Sequence, residues 1–352
     1  MKFYLEITPA IINKTAIHNI IKDTIHHLPQ TADGLLFMGK SYKYTGMFKT
    51  GMPRLLKIAI KFPRLFILAR RLLLPFLFNE VRPIFFFDPL YILFYPKLLL
   101  TKVMVLDLTP LTHPHWHHPS VALLYKEAFQ YLKKSNIVCY SISESTRLEL
   151  KRHLQIEGSH SQLIYIYANK NFMTHATPVF SKQVLFVGSF EPRKNLTGLI
   201  NGFLKSTLPK QGYVLNIVGA KTAHYETLKS KISDEKSLMF HGYLSEASLI
   251  EIYKNAQIFA YPSHWEGFGV PLLEAINMKI ACFASNKGAC QEIGGPEMKY
   301  VNPESEFEIA QALELISELT VEEYKEYTNK ISLYACKFTF EKYIQDIEAA
   351  LQ

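Results

Sequence analysis

The second half of this chain alternates between short buried strands and amphipathic helices. Residues 184–188 form a continuous apolar run, which is typical of a strand covered on both faces. Asn195 can cap the next helix, whose apolar residues recur at positions i, i+3, i+4, i+7 and i+8. The same alternation predicts further strands at 214–218, 237–241, 257–261, 280–284 and 298–301, and helices near 224–233, 246–255, 271–278 and 305–318. This order predicts a parallel sheet with helices on both faces.

The first half repeats the pattern less regularly. Strands are predicted at 2–7, 34–38, 84–87, 103–107, 136–142 and 163–166, and helices at 15–28, 53–62, 119–134 and 144–153. The polar stretch 169–182 lacks periodicity, so we place a domain junction there. The sequence therefore predicts an α/β fold of two doubly wound, Rossmann-like domains, 1–172 and 173–338, which face each other across a ligand-binding cleft. A last helix within 339–352 is expected to return to the first domain.

The composition excludes two classes of protein. Of the 352 residues, 48 % are hydrophobic and 13 % are aromatic, which excludes intrinsic disorder. No uncharged apolar stretch approaches the roughly 18–20 residues that span a bilayer, which excludes a polytopic membrane protein. The four cysteines have no paired spacing, so we interpret them as the reduced thiols of a cytoplasmic protein.

Charge is divided unevenly between the two halves. Residues 1–175 carry 22 Lys+Arg and 10 Asp+Glu, a net charge of +12. Residues 176–352 carry the remaining 17 Lys+Arg and 21 Asp+Glu, a net charge of −4. The two values sum to the chain's net charge of +8. Nine basic residues and no acidic ones lie between Asp33 and Glu80. Such an excess favours an anionic partner for the first half.

Four residues of this basic stretch share one helical face: Arg54, Lys57, Lys61 and Arg64. Pro63 must interrupt the helix. A basic amphipathic helix suits an anionic membrane surface, so residues 40–79 are predicted to make a peripheral membrane contact. The alternative is an ordinary helix that packs on the sheet with a solvated basic rim. No segment resembles a nucleic-acid-binding module, so nucleic acid is not an expected partner.

The densest functional signal is segment 261–274, Tyr-Pro-Ser-His-Trp-Glu-Gly-Phe-Gly-Val-Pro-Leu-Leu-Glu. A buried strand ends at its start, and Pro271 stands where a helix should begin. Gly267 and Gly269 let the backbone approach a ligand closely. The N–H groups of residues 268–273 would then face the ligand from the positive end of the helix dipole, which suits a diphosphate.

Two glutamates flank this glycine loop. Glu266 precedes it and Glu274 lies on the helix after it. One carboxylate can therefore face a polyhydroxylated group while the other accepts hydrogen bonds from a vicinal diol such as ribose. In the plainer alternative, neither glutamate binds a ligand. Glu274 would only be a favourable acidic residue in the first turn of its helix, and Glu266 would be a solvated charge in the loop. The glycines, the proline and the preceding strand together favour the binding site.

Two cations follow the 184–188 strand. Arg193 offers a fork of donors and Lys194 a point charge, the two usual ways of holding phosphate. Either residue alone is equally well explained as a solvated surface charge. None of the strand–helix turns contains G-x-G-x-x-G, so a nicotinamide-binding Rossmann domain is set aside.

These motifs resemble those of the retaining glycosyltransferases of family 4, which adopt the GT-B fold. The spacing Glu266-x7-Glu274 matches the family's E-x7-E motif, and Gly188-Ser-Phe-Glu-Pro-Arg-Lys-Asn resembles its phosphate-binding loop. The segment 240–246 resembles the part that lies against the nucleobase. The most similar members build O-antigen, capsule and other surface polysaccharides, often as mannosyl- or rhamnosyltransferases.

The resemblance implies roles for individual residues. Glu266 would contact the donor sugar and Glu274 the ribose hydroxyls. Lys194, with Arg193, would neutralise the diphosphate leaving group. The other implied donor contacts come from the two loops and the nucleobase segment: Gly188, Ser189, Gly267, Phe268, Gly269, Val270 and Tyr243.

The chain departs from the family's pattern at two places. Ser189 stands where many members have arginine, a charge that Arg193 can supply. Leu106 stands where members commonly have histidine before an aspartate. Either Asp107 or His113 substitutes for that catalytic histidine, or the reaction proceeds without it.

A histidine-rich run at 112–118 raises the alternative of a zinc site. The run contains a proline, Pro114, and has no nearby cysteine or acidic ligand, and the resemblance implies catalysis without metal. We therefore expect no metal, and we expect this run to be structural or to line the acceptor site.

The residues together with the family resemblance imply a retaining, metal-independent hexosyltransferase without a cofactor. It would move a hexose or deoxyhexose from a nucleotide diphosphate sugar, with a GDP-sugar favoured, to a membrane-tethered, lipid-linked or surface glycan. We expect it in the cytoplasm, peripherally on the inner face of the cell membrane. Two alternatives stay open. One is a degenerate GT-B protein that binds a sugar nucleotide or a partner without turnover, and the other is a phosphorylase or sugar-nucleotide epimerase on the same fold.

Overall fold

The computed structural model describes residues 3–12, 16–27, 32–38, 40–42, 52–77, 83–95, 100–173, 180–220, 225 and 236–352. The chain forms two compact units. The first consists of Met1–Ile166 and Glu341–Gln352, and the second of Tyr167–Phe340.

The first unit is built on a seven-stranded sheet. Its strands are β1 (Phe3–Glu6), β2 (Ala32–Phe37), β3 (Lys40–Tyr42), β4 (Ile84–Phe86), β5 (Lys102–Val105), β6 (Val138–Ser141) and β7 (Ser161–Leu163). They lie in the order β3-β2-β1-β4-β5-β6-β7. All neighbours are parallel except the edge strand β3, which runs antiparallel to β2.

Along the chain, the helices of this unit occur between its strands. They are Thr8–Ile12, Ala16–His27, Arg54–Lys61, Pro63–Leu77, Thr109–Thr112, Pro119–Lys133 and Glu144–Glu149, the last continued by a π-helical turn at Leu150–Leu154. Shorter 3-10 turns are Pro89–Phe94, Pro114–Trp116 and Gly158–His160. The break predicted at Pro63 is confirmed, because one helix ends at Lys61 and the next begins at Pro63.

The C-terminal helix, Phe340–Leu351, packs into the first unit through its residues after Phe340. Tyr343 is fully buried, and its hydroxyl lies 2.7 Å from the hydroxyl of Thr24 on the helix Ala16–His27. At the start of β5, Lys102 Nζ donates to the carbonyl of Ala350 at 2.6 Å, where the helix ends. A cation at a helix C-terminus is favourable to the helix dipole.

The second unit contains a six-stranded sheet in which every neighbouring pair is parallel. Its strands are β8 (Gln183–Val187), β9 (Val214–Val218), β10 (Leu238–Gly242), β11 (Ile258–Tyr261), β12 (Ala281–Ser285) and β13 (Lys299–Val301), in the order β10-β9-β8-β11-β12-β13. Every residue of β11 and β12 is buried. Because successive side chains of a strand point to opposite faces, this sheet is covered on both sides, as predicted.

The helices of the second unit are Leu196–Lys205, Glu246–Lys254, Val270–Asn277, Cys290–Gly294, Glu306–Ser317 and Val321–Ala335, and its 3-10 turns are Lys170–Phe172, Pro192–Lys194 and Pro209–Gln211. The predicted helix at 224–233 lies outside the described residues except for Tyr225, as does 174–179 of the predicted junction. Among the described residues, no helix is both long enough and apolar enough to cross a membrane.

Candidate active site

The strand order of the second sheet locates a binding region. β8 and β11 are adjacent, but the chain continues from β8 to β9 on one side and from β11 to β12 on the other. The loops that leave the carboxyl ends of β8 and β11 therefore diverge, and open α/β sheets bind their ligands at such a point. The two motifs that the sequence singled out, 188–195 and 261–274, lie there.

Asn195 fixes the base of the loop after β8. It adopts a left-handed conformation with φ of 53° and caps the following helix by accepting a hydrogen bond from the Gly198 N–H at 3.2 Å, so the predicted cap is confirmed. Its Nδ2 also donates to the carbonyls of Pro262 at 3.0 Å and Pro303 at 2.7 Å. One side chain thus joins the β8 loop to the β11 loop.

Three of the predicted site residues meet in a buried ion cluster. Lys194 Nζ donates to Glu266 Oε1 at 2.6 Å and to the Tyr261 hydroxyl at 2.8 Å. Arg193 Nη1 donates to Glu266 Oε2 at 3.2 Å. Lys194 is 6 % exposed and Glu266 is 4 % exposed. The alternative of a solvated loop charge at Glu266 is therefore wrong.

Burial opposes the charges of this cluster, and the ion pairs compensate for it. Desolvation would raise the pKa of Glu266, but the adjacent Lys194 and Arg193 cations hold it below its ordinary value. Desolvation and the Arg193 charge lower the pKa of Lys194, which the Glu266 carboxylate opposes. These three side chains together carry a net charge of +1.

The loop after β11 enters its helix through Gly269. The φ of Gly269 is 106°, a region that favours glycine, and the helix then runs over Val270–Asn277. The prediction of free N–H groups along the whole first turn is wrong at its end, because those of Leu272 and Leu273 both donate to the Gly269 carbonyl, at 3.0 and 3.1 Å. The donors that such a helix start leaves for a ligand are those of residues 268–270.

Glu274 lies on the same helix and contacts a different partner. The hydroxyl of the fully buried Tyr253 donates to Glu274 Oε2 at 3.0 Å. Burial raises the pKa of Glu274 to about 8, opposed by the Tyr253 hydrogen bond and reinforced by the charge of Glu246. Tyr253 was not predicted, since nothing in the sequence links it to a residue 21 positions later.

Two glycines that the sequence analysis overlooked shape the two loops. A Cβ atom on Gly219, just after β9, would lie 1.8 Å from the carbonyl oxygen of Gly188. A Cβ on Gly288, whose φ is 60°, would lie 2.5 Å from the carbonyl oxygen of Glu266. Only glycine lets these backbone segments approach so closely. Gly219 is one residue past a predicted strand and Gly288 four residues past another, and a glycine so soon after a strand was the signal that could have found them.

The other residues predicted to contact the nucleotide-sugar donor differ in their environments. Gly188 donates its N–H to the Val218 carbonyl at 2.9 Å, and the Ser189 carbonyl accepts the N–H of Glu191 at 2.8 Å. The Phe268 side chain is buried against Phe338, so only its backbone can face a ligand. The predicted nucleobase contact, Tyr243, directly follows β10 and is 71 % exposed.

Asp107 and the histidine run belong to the first unit. Asp107 Oδ1 accepts hydrogen bonds from the Thr109 N–H at 2.8 Å and the Thr109 hydroxyl at 2.5 Å, so it caps the turn after β5. His117 Nε2 lies 3.0 Å from the same hydroxyl. His113 stacks on Trp116 with ring centroids 4.1 Å apart. These contacts are structural, and a catalytic role for Asp107 or His113 stays a prediction.

The zinc alternative gains no support from the histidine run. In the part of the chain that the structure describes, no three His, Cys, Asp or Glu side chains are grouped so that they could hold a metal ion. Burial and the neighbouring His115 lower the pKa of His113, and the charge of Asp107 opposes them.

Two Rossmann-like units with parallel sheets are the architecture of the GT-B fold. The structure of Anabaena Alr3699/HepE in complex with UDP-glucose matches with a TM-score of 0.72, covering 100 % of this chain and 99 % of that one at 13 % identity. At that identity the likeness shows the fold alone, and it confirms the predicted fold class.

Residues 168–335, which lie within the second unit, match the model of the family described as Glycosyl transferases group 1. O-antigen chain mannosyltransferase B of Escherichia coli is 24 % identical over 205 residues, which are 54 % of this chain and 54 % of the relative. O-antigen chain mannosyltransferase RfbU of Salmonella typhimurium is 25 % identical over 236 residues, which are 64 % of this chain and 63 % of the relative. The matched part thus spans less than two thirds of either relative.

Proposed function

We propose that this protein is a glycosyltransferase that moves a hexose or deoxyhexose from a nucleotide diphosphate sugar, with a GDP-sugar as the favoured donor. The buried cluster of Lys194, Arg193 and Glu266 carries the proposal, because it places two cations at the carboxyl ends of β8 and β11. The match of residues 168–335 to group 1 glycosyl transferases and the likeness to O-antigen mannosyltransferases support it.

The proposed reaction is retaining and mainly electrostatic. Lys194, Arg193 and the N–H groups of residues 268–270 would stabilise the departing diphosphate as the anomeric carbon gains oxocarbenium character. The acceptor hydroxyl would attack from the same face of the sugar and lose its proton to a phosphate oxygen. Such a reaction uses no metal. It also needs no pair of carboxylates on either side of the scissile bond, which glycosidases require.

The other roles in the proposal follow from the same reasoning. Glu274 would accept hydrogen bonds from the ribose hydroxyls, and Glu266 would hold Lys194 in place and contact the donor sugar. The acceptor would be a lipid-linked or surface glycan, and Asp107 or His113 of the first unit would take the catalytic position at which the family has a histidine. These assignments come from the family resemblance and are proposals.

A thermal-shift screen against GDP-, UDP-, dTDP- and CMP-sugars tests the donor assignment. A ligand that binds only the folded state at 100 times its Kd should stabilise it by about 2.7 kcal/mol, so we expect one donor, a GDP-sugar, to raise the unfolding midpoint above the rest. Incubating that donor with a lipid-linked glycan should yield a product whose anomeric configuration, read by NMR, matches the donor's.

The other outcomes of this screen discriminate the alternatives. Stabilisation by no sugar nucleotide would contradict the proposal. Binding without transfer to any glycan would indicate the degenerate protein. Consumption of the donor in the absence of a glycan acceptor would indicate a phosphorylase or an epimerase.

The first unit presents a surface that supports the membrane proposal, formed by the helices Arg54–Lys61 and Pro63–Leu77 and the residue between them. Six large apolar side chains there are 45–63 % exposed: Leu55, Ile58, Phe62, Leu65, Leu68 and Leu72. Four basic side chains are also exposed: Arg54, Lys57, Lys61 and Arg64. The helices pack on the core through Leu56, Ala59 and Phe66. The six exposed apolar side chains are therefore not the ones that attach the helices to the core.

This basic apolar surface would bind anionic lipid on the inner face of the cell membrane, with its leucines in the headgroup boundary and its cations near the phosphates. Arg70 is not available for the contact, because its Nε donates to the Leu93 carbonyl at 2.8 Å and its guanidinium lies over the Tyr131 ring. Lys43 and Lys49, also within the predicted 40–79 segment, lie outside the described residues.

The double variant Leu65→Gln, Leu72→Gln should lose most of this membrane binding. Removing two apolar side chains from the interface should weaken vesicle binding by at least about tenfold, since a buried leucine contributes roughly 1.5–3 kcal/mol. Vesicle binding is measured by co-sedimentation with phosphatidylcholine vesicles that contain about one third phosphatidylglycerol. Vesicles of pure phosphatidylcholine show how much of the binding depends on the anionic lipid.

Leu333→Gln is the matched control, because Leu333 is 76 % exposed on a helix of the second unit. It should bind vesicles like the unchanged protein. If the double variant also binds like the unchanged protein, or if binding does not depend on phosphatidylglycerol, the membrane proposal is wrong.

A further inference from the structure

The cations of the ion cluster already have carboxylate partners within the protein. Arg193 divides its guanidinium between two of them, with Nε donating to Glu191 Oε2 at 2.9 Å and Nη1 donating to Glu266 Oε2 at 3.2 Å. Lys194 donates to the other oxygen of Glu266. With Glu191 included, two cations face two carboxylates, so the group as a whole is neutral.

The two carboxylates differ in how firmly they are held. Glu266 is buried between both cations, and moving it would leave an uncompensated charge in the interior. The Glu191 side chain is 40 % exposed, and among the described residues Arg193 is its only ion-pair partner within 4.0 Å. Glu191 can therefore turn into water at small cost, while Glu266 stays in place.

Arg193 offers a phosphate group its best geometry along the edge that Glu191 occupies. A guanidinium binds an oxyanion most strongly through two parallel N–H donors, and the Nε donor belongs to one of its two such edges. A phosphate that binds this edge must compete with the Glu191 carboxylate for the same N–H group. Desolvation would raise the pKa of Glu191, but Arg193 and Ser189 hold it below its ordinary value, so the carboxylate competes as an anion.

We propose that Glu191 is an internal counter-ion that occupies Arg193 in the ligand-free protein and is displaced when a diphosphate group binds. This inference rests on the proposed function for the identity of the ligand, but the competition itself concerns any diphosphate. Glu191 thereby weakens binding of the diphosphate ligand and of the nucleoside diphosphate product alike, and it favours release of that product.

Glu191→Gln keeps the shape of the side chain and removes its charge. Binding of inorganic pyrophosphate and of GDP to the full chain, measured by isothermal calorimetry at low and moderate salt, should tighten by about three- to tenfold in this variant. The gain should shrink as salt rises, because screening weakens the competing ion pair. Glu251→Gln is the matched control, since it breaks an exposed pair with Lys254 elsewhere in the same unit and should change nothing.

A double-mutant cycle shows whether the effect acts through Arg193. In an Arg193→Gln background, Glu191→Gln should no longer tighten pyrophosphate binding. The proposal is overturned if Glu191→Gln binds pyrophosphate no better than Glu251→Gln, if it binds more weakly, or if the gain persists without Arg193. Pyrophosphate binding that follows this pattern while no sugar nucleotide stabilises the protein would uphold the counter-ion and refute the glycosyltransferase.

Discussion

Replacing Lys194 by methionine is expected to lower the free energy of unfolding by about 3–5 kcal/mol and to reduce sugar transfer by at least roughly 10²-fold. The stability loss follows because Glu266, 4 % exposed, would keep its charge with the 3.2 Å contact to Arg193 as its remaining ion pair among the described residues. The activity loss follows because the cation proposed to stabilise the departing diphosphate is gone. Urea unfolding and a donor-dependent transfer assay measure the two effects separately.

The double variant Lys194→Met, Glu266→Gln separates catalysis from stability. It removes both buried charges, so its stability should recover to within about 1–2 kcal/mol of the unchanged protein while transfer stays reduced by at least roughly 10²-fold. Transfer retained in Lys194→Met would refute the proposed role of this lysine. A double variant no more stable than the single one would show that the buried, uncompensated charge of Glu266 is not the source of the loss.

Gly219→Ala should destabilise the second unit by about 3 kcal/mol or more and weaken donor binding with it. The added Cβ would lie 1.8 Å from the carbonyl oxygen of Gly188, which is backbone and cannot rotate away. The loop that begins at Gly188 carries Arg193 and Lys194, so a shift of this loop moves both cations. Urea unfolding measures the first effect, and pyrophosphate calorimetry the second.

Gly212→Ala is the control for the Gly219 variant. Gly212 has φ of 84°, and a Cβ there would meet no atom within 4 Å, so only backbone strain of about 1–2 kcal/mol should result. Pyrophosphate binding should be unchanged. Equal destabilisation by the two alanines would show that the close approach of Gly188 and Gly219 relaxes without cost.

The parallel sheet of the second unit was predictable because its strands are buried on both faces and therefore appear as continuous apolar runs. The helix Val321–Ala335 was not predicted, although Thr320 and Glu323 form a capping box at its start. Its buried face contains Tyr324, Thr328 and Ile331, so aliphatic periodicity is weak. The edge strand β3 escaped prediction because it is three residues long and largely polar or exposed.

The site was predictable only to the level of which loops form it. The spacing of Glu266 and Glu274 and the position of Lys194 follow from the motifs, but their partners do not. Sequence reasoning assigned Glu266 to the sugar and Lys194 to the diphosphate as separate functions, whereas the structure joins them at 2.6 Å. Contacts between loops 72 positions apart depend on the strand order, which no local pattern specifies.

The position of Glu274 couples ligand uptake to hydrogen ions in the medium. With a pKa of about 8, this side chain is mostly protonated at pH 7, yet a diol that donates two hydrogen bonds requires the ionised form. A nucleotide sugar whose ribose binds there would therefore expel a proton into the buffer. Its affinity would climb as the solution becomes more alkaline and level off above about pH 8, and part of its heat of binding would vary with the buffer's own ionisation enthalpy.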